Sequence, residues 1–329
     1  MRKRPLAALT LAAALAFSPS PAYAAPSLSE YMDTVEGKMW DKLQAWLELW
    51  HAEQHAAAPA APPSAAPTPA PSATPTATPT VPPSTPVPAV PAGHTTGGTG
   101  GAYTDRQTVS FTGAGRTSQY HVYAGHIDRT KPVKLHVHLH GDGAYEYMSP
   151  TSAVPRAYLA EAKKDNAILV IPKTPNADNT WWKDRTASDW LAALVQDFYA
   201  KYPIDRSDVW FTGFSGGSQA LSQHFIPSHY GLIHGGGAVL VGGGGVYTNN
   251  LTPAGAALGK NFEVHYVAGT ADTGGTGSNN NGFNAYRAAT TSAPKWRTAG
   301  FTDVTLDEIT GATHNSVAAH GPRAVDQYR

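Results

Sequence analysis

Hydrophobic positions along this chain change their period three times. Leu28, Met32, Val35, Met39, Leu43, Trp46 and Trp50 recur every three or four residues, the spacing that lines one face of a helix. Tyr31, Trp40 and Leu47 widen that stripe, Ser27 or Ser29 can cap its start, and Gly37 weakens its middle. From 56 to 101 the pattern vanishes into Ala, Pro, Thr, Ser and Gly. Such a composition cannot bury a core and predicts an extended, disordered linker, partly polyproline II. Beyond 102 short apolar runs return, at 134–139, 167–172, 209–211, 238–241, 262–268 and 304–309. Each reads as a strand, and the unbroken Ala-Ile-Leu-Val-Ile-Pro of 167–172 as one buried on both faces. Helical spacing fills 155–164, then 188–202 with Ser188 as its cap, then 218–225. Strands alternating with helices predict a mostly parallel central sheet with helices on both faces. Sites in such sheets form at the carboxyl ends of the strands.

Residues 1–24 carry a basic start (Arg2, Lys3, Arg4), an apolar stretch from 6 to 17 and the small-x-small triplet Ala22-Tyr23-Ala24. This reads as a secretory signal, its apolar run being too short to span a bilayer. The expected organisation is therefore a signal peptide at 1–24, an amphipathic helical segment at 25–55, a linker at 56–101 and one α/β domain at 102–329. The product is expected to be secreted or associated with the cell envelope. The helix at 28–50 suits an envelope lipid, a polymer or a partner helix, against docking on the α/β domain or self-association. Formal net charge is zero, so nothing points to nucleic acid or a polyanion. The chain has no cysteine, which excludes disulfides, a thiol nucleophile and cysteine-ligated zinc.

The sharpest chemical signal is Gly213-Phe214-Ser215-Gly216-Gly217 at the end of an apolar strand. Gly-x-Ser-x-Gly between strand and helix is the nucleophile elbow of α/β-hydrolases. Gly269-Thr270-Ala271-Asp272 and Gly311-Ala312-Thr313-His314 each follow a later strand, and Ser, Asp, His is the chain order of that fold's triad. His314 would take the proton of Ser215, and Asp272 would orient the imidazole. His320, Asp303, Asp307 and Glu308 are the competitors, less well placed relative to strand ends. His140-Gly141-Asp142-Gly143 after an early strand reads as the oxyanion loop: donors are the amide of Gly216 and that of Gly141 or Asp142. His136, His138 and His140 share one strand face and invite a zinc reading. Their His-x-His-x-His-Gly-Asp order does not suit it, so no metal and no cofactor is expected. Trp181, Trp182, Tyr145 and Tyr147, near strand end and oxyanion loop, are candidates for an acyl or aromatic pocket.

The stretch from Val133 to about Ala319 resembles the secreted esterases grouped as polyhydroxybutyrate depolymerases, feruloyl esterases and related carbohydrate esterases. The resemblance rests on His140-Gly141, on Ile168 to Pro172, on YPIDRSDVWFTGFSGGS from Tyr202, on Gly269 to Asp272 and on Gly311 to His314. Phe214 before the serine, Ser316 where members often carry tryptophan, and the lack of cysteine depart from that pattern. The resemblance implies an α/β-hydrolase fold and a metal-free serine carboxylic ester hydrolase acting on a small or polymeric ester. An envelope acyltransferase using the same triad, a peptidase and a non-catalytic envelope-binding protein are the rivals. Product analysis with a competing alcohol, ester against amide assays, and the effect of Ser215→Ala separate them.

Overall fold

A computed structural model of the chain describes residues 101–246, 251–275 and 282–328. The expected signal, amphipathic helix and linker up to residue 100 lie outside the described residues, as do residues 276–281. Eight strands among the described residues form one sheet in the order β1-β2-β4-β3-β5-β6-β7-β8. They are β1 Gln107–Gly113, β2 Arg116–Tyr123, β3 Val133–Leu139, β4 Ala167–Pro172, β5 Ile204–Phe214, β6 Gly236–Val241, β7 Phe262–Gly269 and β8 Val304–Ile309. The β1–β2 and β2–β4 pairs are antiparallel, and every later pair is parallel.

The parallel strands are those the apolar runs predict; β3, β4, β6 and β7 are buried on both faces, while β8 lies at the far edge and is only partly buried. The β1–β2 hairpin is not predicted by those runs. Its first strand lies at the sheet edge with alternate residues exposed, so no continuous apolar run announces it. Its turn is Ala114-Gly115, both at positive φ, the backbone that a two-residue type I′ hairpin requires.

The helices are α1 Tyr145–Met148, α2 Ala153–Lys164, α3 Thr186–Lys201, α4 Gly216–Ala220, α5 Ile226–His229, α6 Thr252–Leu258, α7 Ala285–Ala299, α8 His314–Val317 and α9 Gly321–Tyr328. Between α4 and α5 the chain keeps winding through one π turn, Leu221–Phe225, so the helix after the elbow outruns the expected 218–225. Ser188 is not the cap of α3. That helix starts at Thr186, where the Asp184 carboxylate accepts the Ala187 amide at 3.2 Å, and Ser188 is buried inside it.

The sheet separates two cores. One gathers the odd-numbered residues of β3 (Val133, Leu135, Val137, Leu139) with α3, the elbow helix and α7, centred on Trp190, Phe225 and Trp296. The other lies under α2 and α9, with Tyr158, Leu169, Val239 and Val325. His136 and His138 on the even face of β3, and His140 directly after its end, are all fully buried. This half-aliphatic, half-imidazole strand runs through the middle of the sheet and ends at the site.

Candidate active site

Close approach dictates the elbow sequence. A Cβ on Gly213 would come within 2.6 Å of the Gly217 backbone, and one on Gly217 within 2.4 Å of the Leu139 carbonyl. Only glycine fits where β5 turns straight back into a helix against β3. Ser215 at the apex has φ 50° and ψ −114°, a conformation that L-residues avoid and that functional sites retain. The Ser215 N–H donates to the Val241 carbonyl at 2.9 Å, and the Ser218 hydroxyl bridges the Gly213 and Val241 carbonyls at 2.5 and 2.9 Å. These bonds fix the strained turn to β5 and β6.

The structure brings Ser215, Asp272 and His314 together from the ends of β5, β7 and β8. His314 Nε2 lies 2.8 Å from Ser215 Oγ, and its Nδ1 lies 2.7 Å from Asp272 Oδ2. A carboxylate oxygen can only accept, so Nδ1 carries the ring proton and Nε2 presents its lone pair to the serine hydroxyl. Asp272 is fully buried, and its main chain is fixed by bonds to Gly269 and Tyr286. His314 opens α8, where Thr313 and Ser316 form a capping box, and its ring packs on Phe214 at 5.1 Å. None of the competing acids takes that position. Glu308 instead accepts from the Tyr286 hydroxyl.

The turn after β3, where the sequence leaves a choice between Gly141 and Asp142, treats their two amides differently. The Gly141 N–H donates to Glu146 Oε2 at 3.2 Å. The Gly141 carbonyl accepts from His140 Nδ1 at 2.6 Å and from the Ala144 N–H at 3.1 Å. That carbonyl and the Asp142 N–H belong to one planar trans peptide, so holding the first directs the second the opposite way. No hydrogen bond within the described residues takes up the amides of Asp142 or Gly216. A Cβ on Gly216 would come within 2.0 Å of Asp142 Oδ1 and 2.9 Å of Trp182 Cδ1, so the two loops meet there.

The histidine row has a structural role in this geometry. His140 Nε2 accepts the Thr174 amide at 3.1 Å, which puts the ring proton on Nδ1 for Gly141. Burial pulls His140 down to about 4, against the Gly141 hydrogen bond, so it stays neutral. His138 pairs with the Thr212 hydroxyl at 2.8 Å, and burial together with neighbouring His140 lowers it to about 3. Among the described residues no three His, Asp or Glu side chains converge as a metal site.

The four aromatic candidates separate. Trp182 is 38% exposed and borders Gly216; its indole N–H donates to the Asp142 carboxylate at 3.0 Å, and its carbonyl pairs with His224 Nε2 at 2.9 Å. Tyr145 is half-buried in α1. Trp181 and Tyr147 are buried. Trp181 is buried against His140 and Trp190, and Tyr147 is stacked on His121 at 4.3 Å with its hydroxyl on Gln119. In each pair one ring completes the core, which adjacency in sequence does not reveal. Glu146 escapes the sequence reading altogether, because a lone glutamate between two tyrosines looks like a solvated residue.

No family model matches the chain, and no curated protein matches it in sequence. Solved structures do. A feruloyl esterase module from Clostridium thermocellum, complexed with sinapinate, has a TM-score of 0.50 at 16% identity over 67% of this chain and 87% of that one. Est1E from Butyrivibrio proteoclasticus has a TM-score of 0.49 at 11% identity, covering 67% and 96%. A thermostable esterase has a TM-score of 0.48 at 14% identity, and the match spans 68% of this chain and 60% of that one. At these identities the likeness bears on architecture alone. With the eight-stranded, mostly parallel sheet and its flanking helices, it shows that the described residues adopt the α/β-hydrolase fold.

Proposed function

We propose that this protein is a serine esterase that hydrolyses carboxylic esters through an acyl-enzyme. The observation that carries the reading is the continuous relay from Ser215 Oγ through the His314 ring to Asp272 Oδ2, at 2.8 and 2.7 Å. Ser215 Oγ attacks the ester carbonyl carbon while His314 Nε2 takes the hydroxyl proton. The carbonyl oxygen becomes an oxyanion facing the amides of Gly216 and Asp142. Collapse expels the alcohol, which receives the proton from Nε2. Water then gives a proton to His314 and attacks the acyl carbon, and the acid leaves as Ser215 is reprotonated. Asp272 holds the proton on Nδ1 throughout and faces the imidazolium. Trp182, exposed beside Gly216, supplies an aromatic wall to the entrance, which suits an acyl group with apolar surface.

The feruloyl esterase named among the similar structures agrees with an ester substrate. The signal-like residues 1–24 support action outside the cytoplasm. The test is labelling of the purified protein with a fluorophosphonate, peptide mapping, and turnover of a p-nitrophenyl ester beside Ser215→Ala. Labelling at Ser215 and a fall in kcat of about 10⁴-fold or more in the variant are expected. A folded wild-type protein that neither labels nor turns over ester would overturn the reading.

A further inference from the structure

Glu146 lies in the one-turn helix α1, 4% exposed. It makes no ion pair among the described residues. Its Oε2 instead accepts the Gly141 N–H at 3.2 Å. A buried, unpaired carboxyl is costly, and an amide or hydroxyl would accept the same bond without that cost. Two further groups face it. His314 on α8 favours its charged form, and Tyr158 on α2, pushed up chiefly by its own burial, is raised further by it. The carboxyl is thus within electrostatic reach of the imidazole and directly bonded to the loop that would receive the oxyanion.

We propose that Glu146 is a positioning residue of the oxyanion loop, its carboxylate holding the His140–Gly141 peptide while His140 holds the next one, so that the Asp142 amide faces the reacting carbonyl. This rests on the esterase reading of the same site. The charge has an effect that a neutral acceptor lacks: a charge-assisted bond to Gly141 is stronger than a neutral one. Burial pushes Glu146 up to about 7, opposed by hydrogen bonds from its own amide and that of Gly141 and by His314. As pH falls through that value the carboxyl takes a proton and the Gly141 bond weakens, while Asp272 stays bonded to the His314 ring.

The experiment compares full-length wild type, Glu146→Gln and Glu146→Ala with a short-chain p-nitrophenyl ester from pH 5 to 9, each variant being checked for folding and for fluorophosphonate labelling of Ser215. Gln keeps the acceptor and removes the titration. It is expected to hold KM within about twofold, lose several-fold in kcat, and show one ionisation on the acid limb where wild type shows two. Ala removes the acceptor and is expected to lose about 10²-fold in kcat with little change in KM, the scale of losing one oxyanion donor. A folded Ala variant with wild-type kcat at every pH overturns the proposal. So does a Gln variant that keeps the two-ionisation limb, which decides the matter even where Ala does not fold. A wild type that fails to label at Ser215 sinks the esterase reading instead, whereas a labelled enzyme indifferent to Glu146 sinks this proposal alone.

Discussion

Ser215, Asp272 and His314 are legible in the sequence because each follows an apolar run by only a few residues, and the ends of parallel strands converge. The glycines around Ser215 are legible for a related reason, and their roles differ in a measurable way. A Cβ on Gly217 would strike the Leu139 carbonyl, which belongs to the central strand and cannot yield. A Cβ on Gly143 would meet nothing within 4 Å, and the only obstacle there is φ +88°. Gly217→Ala is therefore expected to lose about 3 kcal/mol or more, and Gly143→Ala about 1–2 kcal/mol. Urea unfolding of both variants checks the order; equal midpoints would refute the distinction. Glu146 was illegible because its importance comes from where α1 docks, and one turn of helix has no sequence period to read.

At the scale of elements, the parallel strands follow from their apolar runs, whereas the hairpin β1–β2 and the helices α7 and α9 are clear only once packed. Helix α7 illustrates why. Its polar and small residues hide a single anchor, Trp296, fully buried against Phe301 at 4.8 Å. The Trp296 indole N–H donates to the Tyr266 hydroxyl at 2.7 Å, which donates to the Gly244 carbonyl at 2.7 Å. This chain ties α7 to β7 and to the glycine loop after β6. Trp296→Phe keeps the ring contact, leaves Tyr266 bonded to Gly244, and is expected to cost about 1–3 kcal/mol from one lost hydrogen bond and a smaller ring. Because Trp296 lies away from the Ser215–His314 pair, kcat on a small ester should not change. A thermal melt and one rate measurement test both statements, and a large loss of kcat would mean that the glycine loop is coupled to the site.

For the whole molecule, buried imidazoles set the response to acid. His138 and His140 titrate at about 3 and 4 in the folded state because burial disfavours their charge. Once unfolded they bind protons from about 6.5. Their contribution to stability is present above that value and is lost as pH falls toward their folded values. Burial lowers His121, His126, His229, His234 and His265 as well. Glu146 acts in the opposite sense: its folded value is raised to about 7, so its contribution is present below the unfolded value near 4.5 and is lost as pH rises through 7. Between pH 6.5 and 4.5 the two strand histidines outweigh the one glutamate by about one proton, or roughly 1.4 kcal/mol per pH unit. The urea midpoint is expected to fall from pH 7 to pH 5, and to fall more steeply in Glu146→Gln; a midpoint that rises toward pH 5 would contradict this balance. Strand periodicity and motif order determined the α/β architecture and the Ser-Asp-His set, because both are local in the chain. Tertiary packing alone decided that the Gly141 amide is bonded to Glu146, that Trp182 is exposed beside Gly216 while Trp181 is buried, and that Trp182 bonds the Asp142 carboxylate. Each of these depends on which atoms of distant segments come within a hydrogen bond of one another, and no local pattern encodes that distance.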